Sequence, residues 1–125
     1  MLAEAPDPWQ AAVVVLRTIY NAGTPEQAEL EFHIRPDESP DGRGSGYVVD
    51  CLRSAQLALM AGGYEQVVKA AIALGHDTDT TACVAGGIAG LRDGVHTIPE
   101  RWRAALRGQE LLAPLRDRLL QWRGV

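Results

Sequence analysis

Apolar residues recur along most of this chain with the three-and-four spacing of helices, and the breaks between runs fall at proline and glycine. Asp7 and Pro8 form a helix start, and Trp9, Val13, Leu16 and Tyr20 follow on one face until Asn21-Ala22-Gly23, which predicts a first helix over residues 8–22. Thr24-Pro25-Glu26-Gln27 starts a second, short helix with a capping residue and proline at its first position. Residues 35–45 are polar and rich in Pro and Gly, and are expected to form a loop. From Tyr47 the pattern resumes. Val48, Cys51, Leu52, Ala55, Leu57, Ala58 and Leu59 occupy so much of the helix circumference that a buried helix is expected, ending at Ala61-Gly62-Gly63.

Tyr64-Glu65-Gln66 opens another helix, with Val67, Val68, Ala71, Ile72 and Leu74 as its apolar set and Gly75 as its end. A loop over residues 76–78 leads into a helix over residues 79–91, Ile98-Pro99-Glu100 begins a further one, and the last runs over residues 110–122, broken or bent near Pro114. Residues 29–34 are the one weak candidate for a strand. The expected fold is all-α, a compact multi-helix orthogonal bundle formed by a single domain over residues 1–125.

Composition refines this picture. With three Trp, three Tyr and one Phe, the core must be aliphatic and finely packed. A net charge of −4 provides no overall basic surface, so neither nucleic acid nor an anionic membrane is expected as the main partner. Locally the balance differs: residues 101–125 carry six Arg against Glu110 and Asp117, an excess of +4 that leaves −8 elsewhere, read as a solvated amphipathic face. Cys51 and Cys83 are too few and too far apart for a thiolate metal site and are expected to be small buried hydrophobes. The first seven residues lack the basic and apolar regions of a signal peptide, and the longest apolar stretch, residues 82–91, is half the length of a membrane span of about twenty residues. A cytoplasmic location is the resulting expectation.

The candidate chemistry lies in Gly75-His76-Asp77-Thr78-Asp79-Thr80-Thr81. Within a regular helix Asp77 and Asp79 would point roughly 200° apart, so they converge only in a turn or at a helix start. There, two carboxylates and the Thr80 hydroxyl make three hard oxygen donors suited to Mg²⁺, Ca²⁺ or Mn²⁺. The positive end of the helix dipole opposes a cation, and two carboxylates are needed to outweigh it. The alternative reading is that Asp79 caps the helix and that Asp77 and Thr78 are turn residues. The following Ala82-Cys83-Val84-Ala85-Gly86-Gly87-Ile88-Ala89-Gly90-Leu91 favours a buried helix, because each interior glycine costs about 1 kcal/mol relative to Ala and is expected where another backbone comes close.

This segment, followed by Gly94 and Ile98-Pro99-Glu100-Arg101-Trp102 and preceded by Gly44-Ser45-Gly46-Tyr47-Val48-Val49-Asp50, resembles the C-terminal part of the ADP-ribosylglycohydrolases; the resemblance covers residues 44–102. It implies an all-α fold and a pair of Mg²⁺ or Mn²⁺ ions that bind ADP-ribose and assist cleavage of an N- or O-glycosidic bond. Asp77, Asp79 and Thr80 would then be metal ligands, with Asp79 shared between ions, and Gly46, Tyr47 and Val48 would line the substrate cleft. His76 stands where the family often has Gly or Asn. The resemblance identifies no catalytic residue here. The family's other metal ligands lie in an N-terminal acidic cluster that has no counterpart before residue 44, so an incomplete site is expected. Three forms fit that expectation: a C-terminal piece of a hydrolase, half of an enzyme completed by a second chain or a homodimer, or a non-catalytic helical module that binds metal or an ADP-ribose-like ligand.

Overall fold

The computed structural model describes residues 7–124, and the first seven residues considered above therefore lie, apart from Asp7, outside the described residues. The architecture is all-α. Among the described residues seven helices follow one another: α1 (Pro8–Ile19), α2 (Pro25–Ala28), α3 (Val48–Leu59), α4 (Tyr64–Ala73), α5 (Thr78–Asp93), α6 (Glu100–Ala105) and α7 (Gln109–Arg123). The same residues contain no strand, and no helix among them is long and apolar enough to cross a membrane. Helix starts follow local chemistry. The Asp7 side chain accepts a hydrogen bond from the Trp9 amide, Thr24 accepts one from Gln27, and proline occupies the first position of both α1 and α2.

The packing centre is the group α3, α4 and α5. Its buried residues are Ala55 and Ala58 of α3, Val67 and Ala71 of α4, and Ala85 and Ala89 of α5. Five of these six are alanines, which brings the helix axes close together and leaves little room for error in side-chain volume. Two of the α5 glycines face side chains of α4 at ordinary contact distance: a Cβ on Gly86 would lie 3.4 Å from Val68 Cγ2 and 3.5 Å from the Tyr64 hydroxyl, and one on Gly90 3.5 Å from the edge of the Tyr64 ring. The close backbone approach expected from the glycines is therefore not found, and Gly87 has nothing within 4 Å. The Tyr64 ring also meets Trp102 of α6 in a tilted arrangement, with centroids 6.2 Å apart, which attaches α6 to α4.

Four features depart from the sequence reading. Residues 29–34 form a single wide helical turn instead of a strand; it buries Leu30 and is closed by the Arg35 amide donating to the Leu30 carbonyl at 3.0 Å. Cys51 is buried, but Cys83 is exposed because it lies on the outer face of α5. Helix α7 continues through Pro114 and, among the described residues, packs against no other element to any substantial degree, leaving Leu111, Leu112, Leu115 and Trp122 exposed. Finally, α3 does not bury only apolar residues: Arg53 and Ser54 are 2% and 0% exposed.

Arg53 organises the segment between the wide turn and α3. Its guanidinium donates to the carbonyls of Ile34 (2.7 Å), Arg35 (3.0 Å) and Ser39 (2.8 Å), and to the Asp41 carboxylate at 2.6 Å. Arg35 adopts φ 50°, a left-handed conformation disfavoured for a non-glycine residue, and the hydrogen bond to its carbonyl helps hold it there. Arg53→Met should therefore destabilise the fold by about 3 kcal/mol, because the carbonyls it satisfies lose their donor. Arg53→Lys should recover little, since an ammonium cannot reproduce the planar fork of donors. Urea denaturation followed by circular dichroism checks both; equal stability of wild type and Arg53→Met would disprove the role.

Candidate metal centre

Two segments distant in sequence meet at the start of α5. The Asp77 amide donates to the Gly44 carbonyl at 2.8 Å, and the Thr81 amide donates to the Asp77 carbonyl at 3.1 Å. The first bond ties the glycine loop to the acidic turn, and the second opens the helix. Asp77 occupies the cap position with φ −90° and ψ 69°, yet its side chain closes no capping hydrogen bond, so α5 begins at Thr78, one residue earlier than the sequence pattern predicts. The reading of Asp79 as the helix cap is thereby set aside: Asp79 lies inside the first turn.

The preceding turn requires left-handed backbone at two successive positions, Gly75 (φ 78°) and His76 (φ 56°). This backbone explains physically why glycine or asparagine would suit position 76. The His76 ring stands exposed at the rim of a cavity of about 670 Å³, also lined by Arg43, Ser45, Tyr47, Asp50 and the wide turn.

Of the three candidate ligands, Asp77 is half-buried, while Asp79 and Thr80 are exposed. The hydroxyl of Thr80 is first among the groups that hold the Asp77 carboxyl below its usual range, against the opposing effect of burial. Asp77 is thus an anion at neutral pH with Thr80 and Asp79 beside it. Thr81, by contrast, is wholly buried, which leaves Thr80 as the accessible hydroxyl of the pair. Among the described residues no three His, Cys, Asp or Glu side chains gather closely enough to enclose a metal. Two carboxylates and a hydroxyl are, as donor chemistry, of the kind that a hard divalent cation accepts.

The three candidate substrate residues are placed less uniformly. Gly46 abuts the acidic turn: a Cβ there would lie 2.7 Å from Asp77 Oδ2. Tyr47 is the cap residue of α3 and lines the cavity, 58% exposed. Val48, the first residue of α3, is 72% exposed and is not part of the cavity lining.

The polar residues of α3 were not identified from the sequence. Asp50 accepts hydrogen bonds from the amides of Arg43 (3.0 Å) and Ser45 (2.7 Å) and from the Ser45 hydroxyl (2.7 Å), while Ser54 accepts one from the Gly44 amide at 2.8 Å. Burial raises the Asp50 carboxyl, but these donors outweigh it and hold the group below its usual range. The signal was present in the sequence as Asp50, Arg53 and Ser54, spaced on one side of a helix whose remaining residues, Gln56 apart, are apolar.

The family model described as ADP-ribosylglycohydrolase matches residues 2–124. The chain belongs to the ADP-ribosylglycohydrolase family. It is 43% identical over 58 residues to the ADP-ribosylhydrolase ARH3 of Danio rerio, a stretch covering 46% of this chain and 16% of that protein. It is 36% identical over 78 residues to the ADP-ribosylarginine hydrolase Tri1 of Serratia proteamaculans, covering 62% of this chain and 21% of that protein. The matched part of the chain thus spans about a fifth or less of the length of these curated relatives. No solved structure matches the chain.

Acid should weaken this region in a defined direction. Asp50 has a folded-state value below the ordinary 3.8, so the stability it contributes is complete above that value and is lost as pH falls through the lower, folded-state value. Asp50→Asn should therefore flatten the loss of thermal stability below about pH 4. Melting curves at pH 3 and pH 6 test this; an unchanged acid slope in the variant would refute it.

Gly42→Ala should be much more damaging than Gly46→Ala. At position 42 a Cβ would lie 2.2 Å from the Ser54 amide nitrogen, which belongs to a buried helix, whereas at position 46 it meets the end of a side chain that can rotate. Comparative melting decides, and equal losses would contradict the assignment.

Proposed function

We propose that Asp77, Asp79 and Thr80 form one half of a divalent-metal site, for Mg²⁺ or Mn²⁺, which serves hydrolysis of an N- or O-glycosidic bond of an ADP-ribosyl group. The observation that carries this reading is the junction of Gly44 and Gly46 with Asp77. It brings the two segments of the family resemblance into direct contact, with an ionised carboxylate at their meeting point. When bound, the cation would supply Lewis acidity for cleavage of the glycosidic bond. Asp77, held by the fold, and Asp79, exposed beside it, provide the negative charge that retains it, and Thr80 adds a neutral oxygen. Of Gly46, Tyr47 and Val48 on the proposed substrate side, the first two border the acidic turn and the cavity, while Val48 lies off the cavity lining. Gly46 allows close approach to the acidic turn, and Tyr47 offers an aromatic face at the cavity for a sugar or base.

A complete site with two ions needs further acidic ligands. In this reading they come from a longer form of the protein, a second chain or a second copy. The exposed leucines of α7 and Val14, Val15 and Ile19 of α1 favour such an arrangement over a self-sufficient helical module, because they present apolar surface for covering. The substrate linkage follows the relatives' names only as far as an ADP-ribosyl group, with ADP-ribosylarginine the first to try. The compartment is proposed to be the cytoplasm.

Calorimetric titration of the chain with Mn²⁺, with and without ADP-ribose, tests the half-site. Wild type should take up Mn²⁺ weakly, and Asp77→Asn or Asp79→Asn should weaken that uptake at least about tenfold while leaving the melting temperature nearly unchanged. No Mn²⁺ uptake by wild type, or equal uptake by the variants, would refute the reading.

A further inference from the structure

Asp50 is too far along the chain to belong to the acidic turn, and among the described residues no hydrogen bond joins its side chain to Asp77, yet the loop that meets Asp77 is shaped by it. Residues 42–46 have no helix or strand to satisfy their backbone, and α3 supplies what they lack on alternate sides. Arg43 and Ser45 direct their amides to the Asp50 carboxylate, one oxygen each. The intervening glycines face elsewhere: Gly42 lies against the Ser54 backbone, Gly44 donates its amide to Ser54 Oγ and accepts the Asp77 amide at its carbonyl, and Gly46 borders the Asp77 carboxylate. Alternate residues of this strip thus have different partners, with the amides of positions 43 and 45 held by one side chain and the glycines closing on Ser54 and the acidic turn.

The space around the strip admits little else. A Cβ on Gly44 would lie 2.8 Å from the Gly75 carbonyl oxygen, and Gly44 itself has φ 76°, so both the conformation and the contact exclude an ordinary side chain. Once Asp50 sets the direction of the strip, the position of the Gly44 carbonyl follows, and with it the Asp77 amide. Asp77 is then fixed at its backbone by the glycine loop and bounded at its carboxylate by Gly46, with its own side chain uncommitted to a cap.

We propose that Asp50 is a positioning residue for the half-site: by holding the amides of Arg43 and Ser45 it sets the Gly44 carbonyl and Gly46 against Asp77, and so aims a carboxylate it does not touch. The functional meaning of that aim rests on the reading of Asp77 as a metal ligand, whereas the positioning itself does not. Asp50 is accordingly coupled to Asp77 through two hydrogen-bonded backbone steps, with Ser54 acting at the same strip from the next turn of α3.

Amide hydrogen exchange of the metal-free full chain, resolved by NMR, reads the positioning directly. Asp50→Asn keeps the shape of the side chain but offers an NH₂ group to one of the two amides, and Ser54→Ala removes the acceptor of the Gly44 amide. Exchange of the Asp77 amide should accelerate at least about tenfold in each variant, with the Val67 and Ala85 amides, in the helical core, unaffected. An unchanged Asp77 amide in both variants would overturn the proposal, and so would equal acceleration at Val67 and Ala85, which marks general destabilisation. Mn²⁺ calorimetry on the same samples should show weaker uptake in Asp50→Asn that persists at high salt, where a simple loss of nearby charge is screened. Full recovery of uptake at high salt would also count against the proposal. If wild type binds no Mn²⁺, the metal reading fails while the exchange data still decide whether Asp50 positions Asp77.

Discussion

Hydrogen bonding from α3 to backbone that has no secondary structure of its own is the constraint on which the rest of this structure depends. A segment of irregular chain lies against a buried helix, and every buried amide or carbonyl in it needs a partner. Arg53 meets the carbonyls of Ile34, Arg35 and Ser39, Asp50 meets the amides of Arg43 and Ser45, and Ser54 meets that of Gly44. One turn of a helix thus serves as donor for the upstream part of the segment and as acceptor for the downstream part. The charge of each side chain suits the groups it faces, since a guanidinium is a fork of donors with no acceptor and a carboxylate is an acceptor with two oxygens. Exchanging the two would leave both halves of the segment unsatisfied.

This arrangement links core and site. The other faces of α3 pack against α4 and α5 through alanines, so α3 is held at short range by the same helices whose connection carries the acidic turn. The glycine loop lies between α3 and that turn, tied to one by Asp50 and Ser54 and to the other by the Asp77 amide. Precision at Asp77 therefore originates in the helix core and reaches it through backbone hydrogen bonds. Asp79 and Thr80 are placed differently, by the first turn of α5 alone, and they remain exposed. One of the three candidate residues is thus fixed by tertiary contacts and two by a helix start.

Membership of the ADP-ribosylglycohydrolase family gives this geometry its context, and the short matched length sets its limit. What the chain possesses in full is the scaffold of one face: a loop of glycines, an acidic turn in left-handed backbone, and a cavity with Tyr47 and His76 at its edge. The exposed leucines of α7 and the valines of α1 are outside that scaffold and take no part in holding it.

The sequence by itself determined the elements whose cause is local. Helix starts at Pro8 and Pro25, helix ends near Gly62 and Gly75, the loop over residues 35–45 and the all-α character all follow from proline, glycine and spacing, and so does the family through its motifs. The helix start after Gly75 was also legible, but its register was not: Asp77 is the cap of α5 and Asp79 lies within its first turn. Only the tertiary structure decided the identity of the neighbours. It turned residues 29–34 into a wide turn around Leu30, put Cys83 outside, set Gly86 and Gly90 against side chains of α4, and made Arg53 and Ser54 buried residues of an apolar-looking helix. The physical reason is common to all four. Periodicity records which side of a helix is buried, but not what lies opposite, and a polar side chain belongs in the interior only when a distant part of the chain brings the backbone groups that it satisfies.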